Sequence, residues 1–450
     1  MQRFLMPSLI NWKSNQNRKP LLLKGARQVG KTYLLKTFGK EFFPKCHYVN
    51  FEKEALSKIF ETDLSPKKII TELNFHFNTS INIQEDLLIF DEIQACPKAL
   101  TSLKYFCEEM PELALTAAGS LLGVKLNSES FPVGKVDWLS LYPMTFLEFL
   151  LGIGEDALYH YAQNLKHPNT HGDTSDTAHE KLWERLKHYF IVGGLPEVVS
   201  LFAEHQAENL FLAFQTARER QFGLLRDYYA DIAKHSGKIN AMHIDRVWQA
   251  IPAQLAKVQE SSSQRFRFKD VVPGIDRFSR LANVIDWLIN AGLILKSSIV
   301  SSGAIPLSAY AEEGFFKLFI FDTGLLGAMM GLAPKTLLDQ TYGTYKGYFA
   351  ENFVAQSLVA SEVLGITDDP KLFTWQEGTA EVEFLCEIAG EIIPIEVKSG
   401  SHTHAKSLSQ FSQKYAPPYR VIYSAKNFYL DQNSKTQWIP LYLAGAVMKQ

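Results

Sequence analysis

The chain has 450 residues, 46% of them hydrophobic, with a formal net charge of −2 and four cysteines. This much apolar material is sufficient for two or three separate cores, at roughly one domain per 100–200 residues. The near-neutral charge excludes a global attraction to nucleic acid or to anionic membranes, so such a partner would need a local patch. Four scattered cysteines exclude a disulfide framework and a paired-thiol metal site, and we expect reduced thiols in a cytoplasmic protein.

The N-terminal twenty residues contain no apolar run followed by a small-residue cleavage site, which argues against a secretory signal. The most membrane-like stretch reads FFKLFIFDTGLLGAMMGLA, and Lys317 and Asp322 interrupt it. A membrane span needs about 20 consecutive apolar residues. We therefore expect a buried strand and helix here, and no membrane partner.

Short apolar runs alternate with amphipathic helix-like segments over residues 21–150, which is typical of a parallel sheet covered by helices on both faces. We predict a first α/β domain over residues 1–165. Residues 166–180, KHPNTHGDTSDTAHE, have the composition of a surface loop or linker. Histidines here and at His160 lack regularly spaced carboxylate or thiol companions, which favours a solvated linker over a metal site.

Residues 181–335 have a mostly helical pattern, and we predict a helix that ends at Gly292. Its apolar positions recur at three- and four-residue spacing: Phe278, Leu281, Ile285, Leu288 and Ile289. The strand-like runs AGLILKSSIV and AIPLSAYA follow, which suggests a winged-helix unit. Residues 239–297 carry eight basic and five acidic side chains. DNA contact is one interpretation of this unit; ordinary surface charge or a lid for protein–protein contact is the other.

Residues 336–450 begin with a helix-like segment and continue through the strand-like segments EVEFLCEIAG, EIIPIEVKSG and YRVIYSA, so we predict a small α/β module. Within PIEVKSG, Glu396 and Lys398 lie on one face of the strand, while Ile395 and Val397 point into a core. An ordinary salt bridge on an exposed strand face would produce the same alternation.

Residues Gly25–Thr32 fit the pattern G-x-x-x-x-G-K-T, and they follow an apolar strand and open an amphipathic helix. Backbone N–H groups of such a loop surround phosphates, Lys31 reaches the terminal phosphates and Thr32 ligates Mg²⁺. The pattern predicts that the protein binds ATP and Mg²⁺. The predicted binding residues are Gly25, Ala26, Arg27, Gln28, Val29, Gly30, Lys31, Thr32 and Asp91.

The segment LLIFDEIQ predicts a buried strand whose tip carries Asp91 and Glu92. Asp91 would hold the metal through water, together with Thr32, and Glu92 would orient and deprotonate the attacking water. A further strand, LALTAAGS, delivers Ser120 to the same edge of the sheet. We predict Glu92, Lys31 and Ser120 as catalytic residues. For Ser120 the alternative is that Gly-Ser only ends the strand.

Seven segments in this order resemble those of prokaryotic AAA-type ATPases that carry a C-terminal domain of unknown function, DUF4143. The segments are GARQVGKT, DEIQ, GSLLG, LYPMTFLEFL, GGLPEVV, FDTGLL and EVEFLCEIAGEIIPIEVKSG. The resemblance implies an ATPase core, a helical and winged-helix middle, and a C-terminal module similar to the PD-(D/E)XK nuclease fold. It also implies that Asn50 is the polar partner that restrains Glu92. The nuclease-like site that it implies consists of Glu351, Glu383, Glu396 and Lys398.

The chain departs from its relatives at Gly134-Lys135, where many of them place an arginine after the glycine. Arginine grips a transferring phosphate in a bidentate manner, which lysine does not. Hydrolysis would then be slow, or the arginine would come from elsewhere, and the candidates are Arg218, Arg220 and Arg226.

Two features weaken the nuclease interpretation. Glu383 stands where relatives place Asp, and residues 351–450 carry eight basic against eleven acidic side chains, whereas a phosphate backbone favours a basic groove. An active nuclease, an inactive metal-binding relic and a purely structural module therefore remain open.

We expect a Mg²⁺-dependent ATPase whose nucleotide state controls the later modules and which acts on DNA. The alternative is a slow nucleotide-dependent switch or scaffold with an inactive nuclease-like domain that binds protein partners or a second copy.

Overall fold

The computed structural model describes residues 1–53, 56–120, 122, 131–165, 175–257, 265–338, 346–361, 370–398 and 406–446. The chain forms two compact units, one of residues 2–142 and one of residues 143–450 together with Met1.

The first unit is built on a five-stranded sheet in which all neighbouring strands are parallel, in the order β2-β3-β4-β1-β5. The strands are β1 (Leu21–Lys24), β2 (Cys46–Asn50), β3 (Leu87–Asp91), β4 (Ala114–Gly119) and β5 (Asp137–Ser140). The helices are α1 (Met6–Ser14), α2 (Lys31–Phe42), α3 (Ile59–Thr62), α4 (Pro66–Phe77) and α5 (Pro97–Glu109). Because β4 lies between β1 and β3, the carboxyl ends of these three strands meet at one edge.

Every residue of β3 and β4 is buried, as is typical of parallel strands that are covered on both faces. One face of the sheet shares a core with α5, in which Phe90 packs edge-on against Phe106 with ring centroids 6.2 Å apart. The predicted α/β fold class of this unit is confirmed.

The second unit combines helices with an eight-stranded mixed sheet in the order β12-β13-β11-β10-β9-β8-β6-β7. Its helices are α6 (Phe146–Gly152), α7 (Asp156–Asn164), α8 (Asp176–Val192), α9 (Pro196–His205), α10 (Leu210–Ser236), α11 (Lys238–Lys257), α12 (Phe278–Asn290), α13 (Thr323–Met329), α14 (Pro334–Leu338), α15 (Lys346–Val359) and α16 (Lys406–Tyr415). Its strands are β6 (Ile294–Val300), β7 (Ala311–Ile320), β8 (Leu372–Glu377), β9 (Ala380–Ile388), β10 (Glu391–Val397), β11 (Arg420–Ser424), β12 (Tyr429–Asp431) and β13 (Thr436–Pro440).

The predicted hairpin after α12 differs from the structure. β6 pairs with β7 in an antiparallel manner, but β7 begins only at Ala311, and the predicted second strand is instead a connection with a 3₁₀ turn at Leu307–Tyr310. β6 also pairs in parallel with β8. Because both edges of β6 are hydrogen-bonded, the hairpin is part of the large sheet and does not project as a wing.

The structure groups residues differently from the predicted domain limits. Helices α6 and α7, placed within the first domain by the sequence, belong to the second unit. The limit at residues 335 and 336 falls inside one sheet, because β6 and β7 precede it and pair with strands that follow it.

Helix α12 is confirmed, since it ends at Asn290 and buries Leu281, Ile285 and Leu288. The predicted linker lies outside the described residues over 166–174, and its remainder opens α8, where Ser175 Oγ accepts a hydrogen bond from Ala178 N. His179, within α8, contacts Tyr442 OH at 2.9 Å and Ala425 O at 3.1 Å through its two ring nitrogens. These contacts explain His179 as a structural residue.

The apolar stretch that contains Lys317 and Asp322 divides into β7 and α13. Within the described part of the chain, no helix has both the length and the apolar character needed to cross a membrane.

Candidate functional site

The loop between β1 and α2 has the shape of a phosphate cradle. Gly25 has a φ of +153°, and a Cβ at this position would lie 2.3 Å from Leu141 O, so only glycine fits. Gly30 has a φ of +95° and leads into α2, and no side chain caps the helix. The first N–H groups of α2 therefore point out of the helix at the positive end of its dipole. This arrangement fits an anionic phosphate.

Lys31 is folded into the loop. Its Nζ donates hydrogen bonds of 2.8 Å to Gly25 O and to Ala26 O, and its side chain is buried. Burial lowers the pKa of Lys31 to about 8, an effect that the charges of Glu92 and Asp91 partly offset. A bound phosphate would supply the negative charge that this buried amine lacks.

Thr32 and Asp91, the two predicted metal-binding residues, are in direct contact. Thr32 Oγ1 donates a 2.8 Å hydrogen bond to Asp91 Oδ2, and Tyr48 OH donates a 2.7 Å hydrogen bond to the same oxygen. A hydroxyl oxygen and a carboxylate oxygen so close together are ligands that suit Mg²⁺, directly or through water. The residues present therefore fit the metal that a P-loop implies.

Glu92 follows β3 with a φ of +51° and is half-enclosed by the protein. Burial raises the pKa of its carboxyl group, and a 2.5 Å hydrogen bond that Gln94 Nε2 donates to Glu92 Oε2 acts in the opposite direction. The expectation for Asn50 is corrected here. Its amide nitrogen donates to Tyr48 OH and its amide oxygen accepts from Glu52 N and Lys53 N. The Asn50 oxygen thus caps the turn after β2 and its nitrogen is bound to Tyr48, whereas Gln94 donates to Glu92.

Ser120 is buried directly after β4 and reaches the same edge of the sheet. Arg27 Nε lies 3.4 Å from Ser120 Oγ, and Arg27 Nη2 lies 3.2 Å from Glu52 Oε1. The structure thus brings the predicted catalytic residues to one edge, with the end of β4 between the P-loop and the end of β3.

Three residues of this site were missed by sequence reasoning: Tyr48, Gln94 and Arg3. Gln94 lies inside the DEIQ segment, and Tyr48 lies two residues before Asn50. Both could therefore have been found from segments that the sequence analysis had already singled out. Arg3 had no such signal. Its Nη1 donates to Val29 O and its Nη2 to Tyr142 O, both at 2.6 Å, which connects the N-terminus to the P-loop.

Lys135, at the position where relatives carry arginine, forms an exposed ion pair with Glu108 at 3.0 Å. Of the other candidates, Arg218 is buried within the second unit and donates to Gln221 Oε1 and Gly324 O. Arg220 forms an ion pair with Glu197 at 2.8 Å, and Arg226 is exposed on α10. An arginine supplied by another residue stays a prediction.

The segments GGLPEVV and FDTGLL meet in one buried polar junction of the second unit. Asp322 Oδ2 accepts from Gly194 N at 2.7 Å and Asp322 Oδ1 from Leu325 N at 2.9 Å. Burial raises the pKa of Asp322 to about 6, although these backbone bonds and the Arg218 charge lower it. These two segments therefore have a structural explanation that does not involve a ligand.

The nuclease-like residues are also brought together, on one face of the large sheet. They come from α15 (Glu351), β9 (Glu383), β10 (Glu396) and the position after β10 (Lys398). Glu396 and Lys398 form an ion pair. Glu396 is only 3% exposed, which corrects the alternative of an exposed strand face. Ser399 and Gly400 lie outside the described residues.

Two further charged residues join this group: Lys317 from β7 and Glu381 from β9. Lys317 Nζ lies 3.3 Å from Glu351 Oε2 and 2.5 Å from Glu381 Oε1. Over the parts of the chain that the structure describes, no three His, Cys, Asp or Glu side chains are arranged to hold a metal ion. Because the Lys317 ammonium already lies against Glu351 and Glu381, the group does not fit the divalent cation that a nuclease fold implies.

The parallel sheet order, the P-loop between β1 and α2, and the acidic pair after β3 define an AAA-type P-loop ATPase-like fold. Residues 17–150 match the model of an AAA domain, residues 183–336 that of a domain of unknown function, DUF8612, and residues 346–443 that of the domain of unknown function DUF4143. The chain therefore carries an AAA domain and a DUF4143 domain.

Three solved structures illustrate the similarity to known folds. The Walker-type ATPase PABY2304 of Pyrococcus abyssi is 16% identical, with 72% of this chain and 94% of that chain covered at a TM-score of 0.44. Cdc6p from Pyrobaculum aerophilum is 14% identical, with 74% of this chain and 93% of that chain covered at a TM-score of 0.29. The Thermotoga maritima RuvB Holliday junction branch migration motor is 15% identical, with 61% of this chain and 81% of that chain covered at a TM-score of 0.29. A comparison with curated proteins found no match.

Proposed function

We propose that this chain is a Mg²⁺-dependent ATPase of the AAA type. The observation that carries the proposal is the 2.8 Å contact between Thr32 Oγ1 and Asp91 Oδ2, directly beside a glycine cradle that also holds Lys31. When Mg²⁺ is bound, it neutralises charge on the phosphates and orients them. In this proposal Lys31 exchanges its two carbonyl partners for phosphate oxygens.

Glu92 is the proposed general base. Its carboxylate follows β3 beside Asp91, and an elevated pKa makes it a stronger proton acceptor than an ordinary surface glutamate. Ser120 is the proposed sensor of the terminal phosphate, because it lies at the end of β4 between the two phosphate-handling segments.

Steady-state ATP hydrolysis and binding of a fluorescent ATP analogue test this proposal in the full chain. Lys31→Ala should abolish binding. Glu92→Gln should retain binding and lose hydrolysis by roughly 100-fold or more, the usual contribution of a positioned base. Retained nucleotide affinity in Lys31→Ala would contradict the P-loop assignment.

The alternative is a slow nucleotide-dependent switch or scaffold, and Lys135 in place of an arginine favours it. Glu92→Gln separates the two. In an enzyme cycle the variant loses the cellular output, whereas in a switch it stays trapped with ATP and remains functional.

A second candidate activity is DNA binding by the exposed segment 265–280. Basic residues alternate with phenylalanines in its first part, RFRFK, so that Phe266 is buried while Arg265, Arg267 and Lys269 are exposed. Phe266 N donates to Phe316 O at 2.8 Å, which attaches the segment to β7. Arg277 and Arg280 add two more exposed positive charges, against Asp270 and Asp276.

Fluorescence anisotropy with labelled duplex DNA at several salt concentrations tests this activity. A variant with Arg265→Glu, Arg267→Glu and Lys269→Glu should bind more weakly and show a smaller salt slope, by about 0.9 for each phosphate that these residues neutralise in the wild type. The matched control replaces three exposed lysines of the first unit by glutamate, Lys40, Lys58 and Lys67, and so changes the net charge by the same amount. Equal losses of affinity in both variants would indicate a non-specific charge effect.

A further inference from the structure

The charged group on the polar face of the large sheet contains an amine where the implied metal would be needed. We propose that the Lys317 ammonium is a built-in cation that holds Glu351 and Glu381 together in place of a divalent metal ion. In this arrangement the DUF4143 region has no metal-dependent nuclease centre. The inference does not depend on the proposed ATPase activity.

The position of Lys317 requires a specific surface beneath it. Lys317 lies on β7 and Glu381 on β9, with β6 and β8 between them. The backbones of β7 and β9 would be about 14 Å apart in a flat sheet. On the intervening strands the same face carries Ser297 and Thr374, whose hydroxyl groups are 2.8 Å apart and fully buried. These small side chains leave room for the lysine to extend across the sheet.

Lys317 is firmly fixed in the charged state. Its side chain is only 3% exposed, so the protein encloses the ammonium group beside the two carboxylates. Burial lowers its pKa, but the charges of Glu351 and Glu381 outweigh burial and raise the pKa overall. A divalent cation between these carboxylates would lie a few ångströms from a fixed ammonium group, and the two would repel each other.

The remaining carboxylates are balanced without a metal ion. Lys398 pairs with Glu396, and burial together with the Glu396 charge raises the pKa of Glu383 well above its usual range. The raised pKa favours the uncharged, protonated form of Glu383, which does not repel Glu396. Glu396 Oε2 is buried and has no hydrogen-bond partner among the described residues, so a cation could still compete at this oxygen.

Calorimetric titration of the metal-free, nucleotide-free full chain with Mn²⁺ tests the proposal. We expect the titrations of wild type, Glu396→Gln and Glu351→Gln to superimpose. Lys317→Met should create a Mn²⁺ site, because Glu351 and Glu381 then lose their cation. We expect this variant to bind Mn²⁺ roughly tenfold or more tightly than wild type does. The double variant Lys317→Met, Glu351→Gln should lose that site again.

The control is Lys414→Met, which removes a lysine from an exposed pair with Glu377 in the same sheet region and should leave Mn²⁺ binding unchanged. A wild-type Mn²⁺ site that disappears in Glu396→Gln overturns the proposal, as does Mn²⁺-dependent cleavage of labelled DNA that depends on Glu396. A folded Lys317→Met that gains no Mn²⁺ site also overturns it. If Lys317→Met does not fold, the comparison of wild type with the two glutamine variants decides.

Discussion

Gln94 Nε2 donates a 2.5 Å hydrogen bond to Glu92 Oε2, and Gln94 itself is buried against the end of β4. A Cβ at Gly119 would lie 2.3 Å from Gln94 Oε1, so the glutamine fills the space between the two strand ends that carry Glu92 and Ser120. Gln94 is therefore a positioning residue for the proposed base, in contact with the strand that carries the proposed phosphate sensor.

This contact predicts a change in the pH dependence of hydrolysis. Because the Gln94 hydrogen bond lowers the pKa of Glu92 against the effect of burial, Gln94→Met should raise that pKa further. The acidic limb of the kcat profile should move to higher pH while ATP affinity stays unchanged, as measured by steady-state assays and nucleotide titration. A limb that does not move would mean that Gln94 only packs.

Lys31 predicts an unusual alkaline dependence of stability. Its pKa falls from the ordinary 10.5 to about 8 in the folded protein, so the unfolded chain binds more protons between these values. The contribution of Lys31 to stability is full above pH 10.5 and is lost as the pH falls through 8. Relative to Lys31→Met, wild type should gain up to about 3 kcal/mol between pH 8 and 10.5.

The measurement is the free energy of unfolding, determined with denaturant. It is taken from the unfolding transition that moves to higher denaturant concentration when ATP is added. Lys40→Met, which removes an exposed lysine from the same helix, is the control and should follow wild type. Bound ATP should reduce the gain, because phosphate favours the charged lysine. A wild-type minus Lys31→Met difference that is flat across this range would contradict the altered pKa.

The residues that the sequence assigned to the candidate nucleotide site lie at one edge of the sheet, and they could be grouped because they come from continuous segments. The P-loop and the Asp91-Glu92 pair each lie within eight residues, and fully apolar runs identify β3 and β4. Pairings between distant segments were not predictable, because periodicity reports which face of an element is buried and not what covers it. Lys317 and Asp322 argued only against a membrane span, yet both are buried in polar clusters whose partners come from other elements.

Arg3 predicts that the N-terminus supports nucleotide binding. Its guanidinium group donates to Val29 O in the P-loop and to Tyr142 O. Arg3→Met should reduce stability by about 3 kcal/mol, at about 1.5 kcal/mol for each charge-assisted bond. ATP should bind about tenfold more weakly, since about 1.4 kcal/mol of loop preorganisation is lost.

Arg18→Met is the matched control for Arg3. Arg18 also donates to two backbone carbonyls, Lys13 O and Glu112 O, but neither belongs to the P-loop. It should lose stability without a comparable loss of ATP affinity, as measured by denaturant unfolding and by nucleotide titration. Equal effects on ATP binding in the two variants would contradict a specific role of Arg3.

Gly193 predicts a large effect of a single methyl group. It ends α8 with a φ of +75°, and a Cβ there would lie 2.3 Å from Asp322 Oδ1 and 2.8 Å from Asp322 Oδ2. Gly154 has a similar φ of +79°, but an added Cβ would meet nothing within 4 Å. Both substitutions by alanine carry the backbone penalty of about 1–2 kcal/mol, and only Gly193→Ala displaces the Asp322 carboxylate. Overpacking against this carboxylate adds about 1–3 kcal/mol for Gly193→Ala.

Urea unfolding of the second unit should show a clearly larger loss of stability for Gly193→Ala than for Gly154→Ala. Equal losses would mean that the junction between Asp322 and Gly194 relaxes at no cost.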